Sequence, residues 1–154
     1  MPAAAGLSVD VKGLKRLQKR LGTLPKSVRS AVNKTVNKAA AAMRTEVRRS
    51  IRKSSGQWNF YEPDHWSSPP GTAPNNDTGQ LMMSIIISQR ATVKNVARAT
   101  VTADAPYAAA LEFGTMTIEP RPFMKPAFQK VAPEAKKNIE NAVKAAMLAL
   151  GRGT

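Results

Sequence analysis

The side chains best suited to chemistry sit close together: the single histidine, His65, stands beside Glu62 and Asp64. An imidazole and two carboxylates are donors that a divalent cation accepts, and a histidine steered by an acid is part of a nucleophilic triad. The remainder of either constellation is missing. There is no second histidine and no cysteine to complete a transition-metal shell, and no Gly-x-Ser-x-Gly elbow supplies a nucleophile. The glycine-bearing runs near 71 and at 151–153 lack the Lys-Ser/Thr pair of a phosphate-binding loop. Glu112 and Glu119 flank a turn, and surface ion pairs with Arg121 or Lys125 account for them without a shared proton. The sequence therefore implies no catalytic residue, no metal site and no cofactor, and His65 reads as a surface histidine near two acids.

Charge is the stronger signal. The chain carries 24 Lys and Arg against 10 Asp and Glu, a net charge of +14. Such an excess implies an acidic partner, nucleic acid first and then an acidic protein surface or anionic membrane, with a merely solvated basic face as the bland alternative. Lys34, Lys38, Arg48 and Arg52 fall on one side of a helical stretch, with Arg44 and Arg49 at its margins and Glu46 as the local offset. They either approach a polyanion or lie in water. No zinc-finger spacing, aromatic RNA-recognition strand or helix-turn-helix pattern accompanies them, so any contact with nucleic acid is to phosphates, without sequence readout.

The elements that carry these residues follow from periodicity. At 154 residues the chain suits one domain. With 42% hydrophobic and only 5% aromatic residues, its core is built of Ala, Val, Ile, Leu and Met, and buries little area per residue, so partner subunits are expected to add stability. The absence of cysteine fits a reducing cytoplasm. No secretory signal and no run of 18 apolar residues is present, so a soluble protein without a membrane span is expected.

A first helix is expected at 10–21, and a long second one at 25–52 with Val28, Val32, Val36, Ala39, Met43, Val47 and Ile51 as its apolar stripe. Residues 53–78 read as a long loop or arm whose Trp58, Phe60, Tyr61 and Trp66 anchor it on a neighbouring subunit or over the domain's own core. Thr78 caps a short turn at 79–82. Strands follow at 83–89 and 95–103, joined through 90–94 as a hairpin, then a helical turn at 106–113 ended by Gly114, and a third strand at 116–119. Phe128, Val131, Ala135, Ile139, Val143, Met147 and Leu150 mark a C-terminal helix, with Pro133 kinking it or marking its first turn, and 151–154 form a tail. The whole chain, 1–154, is then one α+β domain: a helical part at 10–52, the arm at 53–78, and hairpin, short helix and C-terminal helix at 79–150. A small antiparallel sheet is packed by the long N-terminal helix and the C-terminal one.

The run Pro106-Tyr107-Ala108-Ala109-Ala110-Leu111-Glu112-Phe113-Gly114-Thr115, followed by Arg121-Pro122-Phe123-Met124-Lys125-Pro126-Ala127, resembles the head-tail joining or tail-completion proteins of long-tailed bacteriophages, also described as neck or minor tail proteins. Pro74 with Thr78-Gly79-Gln80-Leu81 and Ser84-Ile85, and the Gly13 to Leu17 start leading into a basic helix, are similar in the same order. The resemblance implies a structural virion protein, made in the host cytoplasm. It would form a ring of its own copies, commonly six, at the head-tail junction. Its neighbours would be portal-connector or head-closure proteins on one side and tail tube or terminator proteins on the other. Double-stranded DNA would pass through the channel, with Lys34, Lys38, Arg48 and Arg52 lining it or docking on adjacent rings. A tail terminator that caps the tube is the nearest alternative, and a free-standing non-specific nucleic-acid-binding protein a further one. The segment 57–68 is longer and more aromatic than that family's pattern.

Physically, the motif reads as fold maintenance more than partner contact. Tyr107, Leu111 and Phe113 are expected to point inward, and Gly114 to take a positive φ. Arg121 is expected to be extended before Pro122, and Phe123 to plug the core where the C-terminal helix begins.

Overall fold

Among the described residues, two long amphipathic helices make the most extensive contact. The computed structural model describes residues 26–53, 57–58, 66–89 and 98–151. In chain order these form α1 (Lys26–Lys53), β1 (Gln57–Trp58), β2 (Trp66–Ser67), α2 (Gln80–Ser84), β3 (Ile85–Gln89), β4 (Ala99–Ala103), α3 (Ala108–Phe113) and α4 (Met124–Gly151). The expected helix at 10–21 lies outside the described residues, as do Phe60, Tyr61, Glu62, Asp64, His65, the hairpin connection expected at 90–94 and positions 95–97 of the strand expected after it.

The stripe on α1 packs as its spacing predicts. Val28, Val32, Met43, Val47 and Ile51 are buried, and Val36 is partly buried. Ala40 rather than Ala39 fills the middle position. One end of α1 meets Val143 and Ala146 of α4. The other end enters the main core, where Phe123, Met124 and Ala127 from the start of α4 join Leu81, Ile85, Ala103 and Ala108. The two helices therefore run antiparallel. Phe123, with no exposed surface, fills this core as expected, and burial of each large side chain contributes roughly 1.5–3 kcal/mol.

β3 and β4 pair antiparallel, Ile85 opposite Ala103 and Ile87 opposite Val101. Their inner face packs on α1, giving the expected α+β class with a small antiparallel sheet. Ile85 and its partner Ala103 are buried while Ile86, the next residue along β3, is exposed, the alternation a half-buried sheet requires. A second, two-residue pairing sets Gln57 opposite Ser67 and Trp58 opposite Trp66, so the backbone of the aromatic arm folds back on itself.

Three expectations change. Residues 116–119 form a turn, not a third strand, because the Thr115 hydroxyl takes the N–H groups of Thr117 and Ile118 at 3.2 and 3.0 Å; that local bonding competes with any ladder. Met147 is exposed, since Ala146 takes the inward position against Val28 and Val32. Pro133 lies inside α4, whose first turn is set at Met124 instead.

Candidate assembly site

The motif residues 107–123 fold into one clasp, and its centre is Glu112. This carboxylate is buried. Its Oε2 accepts the N–H groups of Phe123 and Met124 at 2.8 and 2.9 Å, and its Oε1 accepts that of Lys125 at 2.8 Å. The first turn of a helix leaves its N–H groups without intrahelical partners, and here a residue from a different helix supplies them. Pro126, the next position, has no N–H to satisfy. The negative carboxylate also faces the positive end of the α4 dipole. The surface ion pairs expected for Glu112 are thus replaced by a buried helix cap, because no Ser, Thr, Asp or Asn stands at Phe123 to do the work locally.

Around this cap the backbone is tied tightly. Gly114 donates to the Ala110 carbonyl at 2.9 Å, Arg121 N–H to the Leu111 carbonyl at 2.6 Å, and Thr115 N–H to the Ile118 carbonyl at 2.8 Å. Gly114 has φ +77°, and a Cβ there would lie 2.9 Å from the Ile118 carbonyl oxygen. Gly114→Ala is accordingly expected to cost about 2–4 kcal/mol, the sum of a strained φ and a forced shift of the turn; urea denaturation measures it. The Arg121 guanidinium reaches across the clasp, Nε donating to the Ser68 carbonyl at 2.9 Å, and Gly71 N–H donates to the Pro120 carbonyl at 2.9 Å. The later part of the 53–78 arm is thereby pinned to the clasp. Pro122 is half-buried beside it.

The clasp turns apolar side chains outward. Phe113 and Tyr107, expected inside, are 68% and 38% exposed. With α3 only six residues long, its one inward face is taken by Ala108, Glu112 and the partly buried Leu111. Met116 is fully exposed and Ile118 is 40% exposed, so Phe113, Met116 and Ile118 project from a turn whose backbone is fixed by the bonds above. Of the aromatic arm residues, Trp58 and Trp66 are placed by backbone pairing alone.

The basic side of α1 is divided. Lys34, Lys38 and Arg52 are exposed. Arg48 is half-buried, and its Nη2 donates to the Ile85 carbonyl at 3.0 Å, so it ties the helix to β3. Glu46 pairs with Arg49 at 3.7 Å and with Lys130 of α4. Among the described residues no group of acids and histidine is placed to hold a metal ion.

Residues 15–114 match the family model of HK97-gp10-like bacteriophage tail components. The chain belongs to this family. The match takes in α1, the sheet and α3, and it ends at Gly114, so the Arg121-Pro122-Phe123 part of the clasp lies beyond it. No curated protein and no solved structure matches the chain. Membership in a phage tail-component family makes this a structural protein of a tailed phage, and points to a particle-building rather than a catalytic role. Among the described residues no helix is long and apolar enough to cross a membrane.

Proposed function

We propose that this HK97-gp10-like protein builds a ring of its own copies, six in the simplest case, at the head-tail junction, where it completes the tail. The portal-connector side lies on one face and the tail tube or its terminator on the other. The observation that carries the reading is the outward apolar turn Phe113, Met116 and Ile118, held rigid by the buried Glu112 cap below it. A solvent-facing methionine and phenylalanine on an immobile turn lose little entropy on docking and gain by desolvation. A neighbouring copy is the partner they would meet.

In this reading Lys34, Lys38 and Arg52 face the DNA in the channel, where phosphate charge and not base sequence is felt. Arg48 supports them from below through its bond to β3. Negative-stain images of the purified protein, alone and with tails, test the ring directly: annuli are expected, and a monomer that never joins particles would end the proposal. Replacing Lys34, Lys38 and Arg52 with Gln tests the charged face. The slope of log binding constant against log salt for duplex DNA is expected to fall by roughly 2–3, while ring formation persists. An unchanged slope would place the DNA contact elsewhere.

A further inference from the structure

A cavity of about 370 Å³ opens between the clasp and the segment that precedes α2, with Ser68, Thr78, Gln80, Tyr107 and Arg121 among its walls. Arg121 spends its Nε on the Ser68 carbonyl, and among the described residues its two Nη groups have no partner. The Ser68 side chain is 97% buried, and its hydroxyl has no hydrogen-bond partner. The Tyr107 hydroxyl leans on Gln80 at 3.4 Å, a long bond that a better acceptor would displace. These are three donors around one recess, with a single cation among them, and no contact among the described residues uses them together.

We infer that this cavity is a receptor for one carboxylate, the side chain of an Asp or Glu presented by a partner protein. A guanidinium whose Nη edge has no partner among the described residues matches a planar carboxylate in two parallel bonds, and the unbonded Ser68 hydroxyl is a further donor at the same wall. A backbone phosphate of DNA carries the same single charge and also pairs with a guanidinium; the planar carboxylate is the better match to one guanidinium edge, and phosphate is the competing outcome of the test. A protein partner with an acidic surface also complements the chain's charge of +14. The inference does not depend on a ring, since any acidic neighbour in the particle satisfies it.

The test is a titration of the whole chain with N-acetyl-aspartate N-methylamide at fixed ionic strength, followed by nuclear magnetic resonance of the arginine Nε–H groups. The uncharged asparagine analogue and inorganic phosphate serve as comparisons. Saturation of the Arg121 signal by the carboxylate, at concentrations several-fold below those at which phosphate acts and with no response to the amide, is the expected result. In Arg121→Gln no other arginine signal should respond in its place. Ser68→Ala, which removes an unbonded buried hydroxyl and leaves the fold intact, should weaken it at least threefold. Equal responses to carboxylate and phosphate, a response spread over other arginines, or an unaltered Ser68→Ala titration would overturn the inference. Ring images of the same samples report separately on the proposed function.

Discussion

Glu112→Ala is expected to lower the stability of the folded chain by roughly 3–5 kcal/mol. The substitution removes an acceptor shared by three backbone N–H groups, and each buried donor left unpaired costs about 1–3 kcal/mol. Loss of the charge opposite the α4 dipole adds about 0.3–1 kcal/mol. Relaxation of the first turn of α4 toward water recovers part of the sum, which sets the lower end of the range. Because Phe123 and Met124 sit between the cap and the core, fraying there also unseats the largest buried side chain. Glu112→Gln should fall between wild type and alanine, since one amide oxygen still accepts while its NH₂ faces donors. The exposed Glu119 is the control, and Glu119→Ala should stay within about 0.5 kcal/mol of wild type. Urea denaturation followed by circular dichroism reads all three, and equal midpoints for the two alanine variants would show that the cap carries no weight.

That role could not be read from the sequence, and the reason is physical. Helix caps are recognisable when the acceptor stands at the N-cap itself; Glu112 acts from more than ten positions away, on a different helix. The only trace is negative: Phe123-Met124-Lys125 opens a long helix with no local acceptor, which requires a remote one. By contrast, α1, β4 and α4 were legible because each repeats its pattern often enough for 3.6- or 2-residue periodicity to outvote a single position, and β3 was legible from its run of isoleucines. Even there Ala39 and Ala40 exchange places, since neighbouring alanines differ too little in burial energy to fix the phase. The six-residue α3 has no such redundancy. One turn and a half leaves the inward face undetermined, so Phe113 and Tyr107 were expected inside by their size, whereas the clasp gives that side to Glu112 and Leu111. Arg48 illustrates the same limit on charge: its position on the helical wheel groups it with Lys34, Lys38 and Arg52, but only the presence of the Ile85 carbonyl tells that it turns inward. The resemblance carried by residues 106–115 was informative about the family because it encodes this clasp, not because any of its residues is reactive.

The outward face of the clasp gives the second large effect, and it separates folding from assembly. Replacing Phe113 and Met116 together with Ser should leave unfolding midpoints nearly unchanged, because both side chains are mainly in water in the single chain and surface substitutions cost within about 0.5 kcal/mol. Assembly should respond in the opposite way. Aromatic anchors at the centre of an interface contribute on the order of 2 kcal/mol or more each when truncated, and a methionine adapts its shape to an imperfect socket. Losing both should weaken each contact by a factor of at least about 100 at 1.4 kcal/mol per tenfold. In a closed ring every copy uses the contact twice, once as donor of the turn and once as its socket, so the loss falls on the whole ring. On the proposed function, sedimentation of the purified variant should give a monomer where the wild type gives a larger species, and particles made with it should lack the ring proposed at the head-tail junction. Gly114 makes the turn rigid without touching a partner, so Gly114→Ala should reduce both stability and assembly, whereas the serine pair reduces assembly alone. If the serine pair assembled like wild type, the exposed turn would be an ordinary surface feature and the ring would have to be held by another face.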